Sequence, residues 1–149
     1  MKSVMLSIQP KYCELIANGK KTIEVRKTRP KLETPFKCYI YCTNGKGLND
    51  VIMSGDRCYV LNGKVIGEFV CDRIEEFKIT DGGVRFKRFC ALHETALKVK
   101  DMHDYANGKS VLYGWHISDL KIYDTPKELG EFRKQNSCHR QGDLDTIGC

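Results

Sequence analysis

Short apolar runs alternate along the chain with punctuation by proline, glycine and asparagine. Residues 4–8, Val-Met-Leu-Ser-Ile, predict a strand. Gln9-Pro10 ends it and opens a helix, because proline's missing N–H has no intrahelical partner in the first turn. Tyr12, Leu15 and Ile16 recur at helical spacing, and Asn18-Gly19 supplies a left-handed stop. The β-branched Thr22, Ile23 and Val25 predict a strand over residues 21–27. Pro30 and Pro35 bracket a loop, after which residues 37–43 alternate, with Cys38, Ile40 and Cys42 on one apolar face. Residues 58–61 and 65–77 flank Asn62-Gly63-Lys64 and predict a hairpin. Helical periodicity then spans residues 93–106, with Asn107-Gly108 as its stop, and residues 111–123 return to strand. Pro126 predicts the start of a last short helix over residues 127–132. Short strands and helices pairing through distant segments imply an α+β domain on a small β-barrel or curved sheet with flanking short helices.

Composition fits one folded unit: 149 residues, 41% hydrophobic and 30% charged. The expected organisation is a domain over residues 1–132 and a polar, flexible tail over 133–149, which has few large apolar residues. No stretch reaches the roughly 18 apolar residues of a membrane helix. Pro10 and Lys11 interrupt the N-terminal run before a secretory apolar region of about 7 residues develops. A cytoplasmic location and a monomer without membrane contact are therefore the expectation. In that reducing compartment the eight cysteines read as free thiols or packing residues rather than a disulfide framework.

Charge changes the picture more than composition does. Residues 1–37 hold nine basic and three acidic residues, while the remaining 112 balance at sixteen against sixteen. A positive field confined to one quarter of the chain suits an anionic partner such as nucleic acid, a nucleotide or an acidic protein surface; a solvated basic face is the alternative.

Several near-motifs fail on spacing. Asn107-Gly108-Lys109-Ser110 ends like a phosphate-binding loop, but His103 stands at the first glycine and the segment runs from helix to strand. His93-Glu94 starts like a zinc-protease helix, but Leu97 occupies the second histidine position. Ser54 lacks the flanking glycines of a nucleophile elbow. Cys38 and Cys42, four apart on a strand, sit about 13 Å apart at ~3.3 Å per residue, too far to share a zinc ion. Cys138, His139 and Cys149 supply three ligands where a closed zinc site needs four, so no metal or other cofactor is assigned.

The informative segment is Gly19-Lys20-Lys21-Thr22-Ile23-Glu24-Val25-Arg26. Strand alternation places Thr22, Glu24 and Arg26 on one face and Ile23 and Val25 on the other, so the polar trio is expected to line a surface or cleft. There Glu24 and Arg26 can pair with each other. Alternatively the carboxylate accepts from a base edge or ribose hydroxyl while the guanidinium holds a phosphate. Lys21 sits where the helix stop meets the strand, within reach of the trio. Tyr39 and Tyr41 share a face with Lys37 and are candidate base-stacking residues.

Gly19, Lys21, Glu24 and Arg26 match all four defining positions of the GxKxxExR signature, and the segment resembles that of the ASCH domain, a branch of the PUA-like fold associated with RNA and modified nucleosides. The order of elements agrees over about residues 3–123. The resemblance implies an RNA- or nucleoside-binding domain whose site comprises Gly19, Lys21, Glu24 and Arg26, extended by Tyr39 and Tyr41 if those rings stack. It also implies an alternative, because some small ASCH proteins are amidohydrolases that deacetylate N4-acetylcytidine with a lysine, a threonine and a glutamate. Lys21 matches that lysine, whereas Glu24 stands in the threonine's place. In an amidohydrolase or nuclease, Lys21 and Glu24 would form the catalytic pair. Thr22 is then the nearest hydroxyl, and Glu94 is a candidate second carboxylate. A protein-interaction module meeting an acidic partner is the third reading.

Overall fold

The computed structural model describes residues 2–44, 51–54, 57–60, 63–133 and 138–141. Its elements in order are β1 (Ser3–Ile8), α1 (Pro10–Ala17), β2 (Ile23–Arg26), β3 (Phe36–Cys42), β4 (Val51–Ser54), β5 (Arg57–Val60), β6 (Lys64–Cys71), β7 (Ile74–Thr80) and β8 (Gly83–Arg85). They continue with α2 (Ala91–Thr95), α3 (Val99–Ala106), β9 (Val111–His116), β10 (Ser118–Glu128), α4 (Gly130–Arg133) and β11 (Cys138–Gln141). The larger sheet runs β10-β6-β3-β1-β11, the second β2-β9-β7-β8, and β4 pairs with β5 alone. Strand β1 is parallel to both β3 and β11, while the other ladders are antiparallel.

Two chain breaks correct the barrel expectation. The apolar run 65–77 is interrupted at Asp72 and Arg73, so β6 joins the first sheet and β7 the second. The run 111–123 breaks at Ile117, with Asp119 at φ 49°, and its halves likewise part into different sheets. No ladder among the described residues joins the two sheets, which are open. Three local expectations also fail. Strand β5 pairs with β4 rather than β6, and Ala96 at φ 55° splits the predicted 93–106 helix into α2 and α3. Strand β10 runs through Pro126 instead of yielding to a helix. It is an edge strand, and its register with β6 skips from Ile122 to Lys127, so the missing proline N–H breaks no paired rung. Within the polar tail, Cys138–Gln141 pairs with β1 at the other edge; Cys149 lies outside the described residues.

The face of β2 and β9 that carries Glu24, Arg26 and Trp115 turns toward the first sheet. Trp115 meets Phe36 of β3 edge-on at 5.6 Å, and Arg26 reaches the Ser7 carbonyl of β1. The opposite face, with Ile23, Val25 and Leu112, belongs to the same core as Ala91, Met102 and Ala106 of α2 and α3. All four β2 side chains are consequently buried. Cys38, Ile40 and Cys42 are fully buried in this core, as packing residues are.

Candidate functional site

The end of α1 delivers Lys21 into the interior. The Asn18 N–H bonds the Glu14 carbonyl, that of Gly19 bonds Ile16, and those of Lys20 and Lys21 both reach the Leu15 carbonyl at 2.9 and 3.1 Å. Gly19 stands at φ +74°, where a side chain is strained, so glycine permits the reversal. Lys21 then points its ammonium at the Thr95 carbonyl, 2.6 Å away at the end of α2.

Glu24 lies between two cations. Its Oε1 is 3.7 Å from Lys21 Nζ and its Oε2 is 3.6 Å from Arg26 Nη1. Oε1 also accepts the Val25 N–H at 3.1 Å. Arg26 Nη1 donates to the Ser7 carbonyl at 3.2 Å, whereas its Nε and Nη2 have no hydrogen-bond acceptor among the described residues. Lys21, Glu24 and Arg26 are 1%, 2% and 0% exposed, so two cations and one carboxylate occupy the interior. Burial lowers the Lys21 ammonium from its ordinary value; Glu24 opposes that shift and Arg26 adds to it.

Tyr12 covers the cluster. Its ring lies 5.2 Å from Lys21 Nζ and 4.9 Å from Lys11 Nζ. Burial raises its phenol, and the negative charges of Asp101 and Glu24 raise it further. Lys27 lies 4.8 Å from the Tyr105 ring.

Of the residues singled out by sequence, Lys21, Glu24 and Arg26 come together, whereas Gly19 stays exposed at the turn before them. The three form an interior cluster instead of the expected open cleft, because the strand is packed on both faces. Thr22 is exposed and precedes β2; its N–H bonds the Glu94 carbonyl and its carbonyl accepts from Ile117. Tyr39 and Tyr41 lie on the other side of β3, in a second core with Met5, Val65, Tyr123 and Phe132. The ring of Tyr39 is 4.8 Å from that of Phe132.

A second polar cluster escaped the sequence reading because residues of β7, β9, α2 and the loop before α2 build it. Arg88 pairs with Glu75 and, at 2.5 Å, with Glu94. His116 Nε2 lies 3.0 Å from Glu75 Oε1. Arg88 holds the Glu94 carboxyl below its usual range, and burial keeps the His116 imidazole below its own.

The fold is thus an α+β domain of two open sheets, with Lys21 buried just before the strand that follows the first helix and Glu24 and Arg26 buried on it. The family model for the ASCH domain matches residues 6–128, and the chain belongs to that family. ASCH domains are associated with RNA binding. Among solved structures, the ASCH protein of Zymomonas mobilis aligns with a TM-score of 0.63 at 19% identity, over 89% of this chain and 78% of that one. Its tyrosine-to-phenylalanine variant aligns with the same TM-score at 18% identity, over 90% and 81%. This likeness concerns the fold. No curated protein matches the chain. Among the described residues no helix is long and apolar enough to cross a membrane.

Proposed function

We propose that this ASCH domain binds RNA or a nucleoside-containing ligand through Lys21, Glu24 and Arg26. The observation that carries the reading is Arg26, fully buried with two guanidinium nitrogens, Nε and Nη2, that no acceptor among the described residues engages. Buried donors are costly to leave unbonded, and a phosphate or base oxygen is a matching acceptor. Glu24 orients the guanidinium and offers a carboxylate to a base edge or ribose hydroxyl. Lys21 adds charge, and movement of the Tyr12 ring admits the ligand.

The test is a panel of nucleosides and short RNAs at low salt, read by thermal shift and by chromatography of the ligand, on wild type and Lys21→Gln. Binding predicts stabilisation without chemical change, weakened by salt and by the substitution. No stabilisation by any panel member, or a shift indifferent to both salt and the substitution, contradicts it.

One observation favours a second reading. A buried lysine amine lowered from its ordinary value beside a carboxylate is suited to general-base chemistry. On this reading the substrate is an acylated nucleoside, and its consumption in the same panel, abolished in Lys21→Gln, identifies an amidohydrolase. The exposed Thr22 lies apart from the buried cluster, so that reading rests on Lys21 and Glu24.

A further inference from the structure

The loop joining β8 to α2 presents a fully exposed phenylalanine, Phe89, close in sequence to the exposed Arg85 and Lys87. Exposure alternates along it: Phe86 and Arg88 are half-buried, whereas Arg85, Lys87 and Phe89 are exposed. The Phe86 ring packs 5.0 Å from Phe77. Arg88 is gripped by two carboxylates, those of Glu75 and Glu94, and its carbonyl accepts the Ala91 N–H that opens α2. These anchors on either side of Lys87 and immediately before Phe89 hold the loop and leave both residues projecting to solvent.

We propose that Phe89, with the exposed Lys87 and Arg85 two and four residues before it, is a stacking platform for an unpaired base of single-stranded RNA. This inference rests on the reading above and narrows it, making the ligand a strand longer than one nucleoside. Three observations combine. An aromatic face free on both sides accepts any base, and adjacent cations follow the phosphate backbone. An anchored loop loses little freedom when the base stacks. The loop also leads directly into α2, five residues and about 7.5 Å long at 1.5 Å per residue, whose terminal Thr95 carbonyl binds Lys21. Between them, the Glu94 carbonyl accepts the N–H of exposed Thr22, the residue next to Lys21, so the platform and the buried site lie at the two ends of one short helix. Both cations and the exposed ring favour a polyanionic, aromatic partner over an apolar protein segment.

The test uses the full chain, a fluorescein-labelled single-stranded RNA of about ten nucleotides and free nucleosides. Phe89→Ala, at a fully exposed position, is expected to weaken RNA binding roughly tenfold while nucleoside binding stays as in wild type. Phe89→Trp is expected to restore the affinity, its indole emission being quenched as RNA is added. Wild-type RNA affinity in Phe89→Ala, or equal losses for RNA and free nucleoside, overturns the platform. Lys21→Gln separates the two claims. If it leaves RNA binding intact while Phe89→Ala weakens it, the platform stands and the buried site fails; the reverse pattern removes the platform alone. An absence of RNA binding by wild type overturns both.

Discussion

Glu24→Gln removes the carboxylate while preserving side-chain shape, and strands Lys21 and Arg26 as buried cations. At separations of 3.7 and 3.6 Å and an effective dielectric constant of about 20, each contact contributes about 4.5 kcal/mol of attraction. The variant no longer bears the cost of desolvating Glu24, which offsets much of that loss. A net destabilisation of about 3–5 kcal/mol is expected from breaking a buried ionic cluster by removing one partner. Against a typical domain stability of about 5–15 kcal/mol, that is a large fraction. Urea denaturation measures it as a lower midpoint at unchanged slope. The deficit is expected to narrow as pH rises, because Lys21, already lowered by burial, escapes by releasing its proton. Replacing Lys21, Glu24 and Arg26 together by Met, Leu and Met is expected to leave stability within about 1 kcal/mol of wild type or above it. A deficit for Glu24→Gln below about 1 kcal/mol at neutral pH would refute the reasoning, since exposed ion pairs contribute no more than that.

Gly114→Ala places a methyl group 2.5 Å from the Phe77 ring and 2.9 Å from Ile23 Cγ2, and thermal unfolding should show a loss of about 1–3 kcal/mol from overpacking; an unchanged melting temperature would contradict the close approach of β9 to these side chains. His116 is lowered from 6.5 chiefly by burial, with Arg73 adding to the shift, so the unfolded chain takes up its proton first and stability falls as pH drops below about 6.5. Urea midpoints at about pH 7.5 and about pH 5.5 should therefore differ less in His116→Gln than in wild type, and equal differences would refute the assignment. Glu68 is held below its ordinary carboxylate range by Lys37 and Tyr123 against the opposing effect of burial. Its contribution is present above about pH 4.5 and is lost as pH falls through the lowered value, so Glu68→Gln should flatten the acid end of the stability profile.

Local rules made the segment from α1 to β2 legible: proline at the first helical position, glycine at the left-handed stop, and alternation that set Glu24 and Arg26 on one face. Alternation assigns residues to a common face but does not say what covers it. The first sheet buries Glu24 and Arg26 by packing over them, and that depends on β1 and β3 across the core. The broken runs at Asp72 and Ile117 were unreadable for a related reason. A continuous apolar run looks the same whether its halves share a sheet or part between two. Pro126 reads as a helix start on local grounds, yet an irregular edge strand accommodates it. Residues 75, 88, 94 and 116, which form the second polar cluster, are too scattered in sequence for any spacing rule to collect.

Arg26→Lys tests the central claim most directly, because it keeps the positive charge and removes the guanidinium donors that lack an acceptor among the described residues. Isothermal titration of a nucleoside or short RNA bound by wild type should show affinity reduced about tenfold or more, in line with the loss of charge-assisted hydrogen bonds, with the folded state retained. Wild-type affinity in folded Arg26→Lys would contradict the assignment of the buried cluster as the binding site.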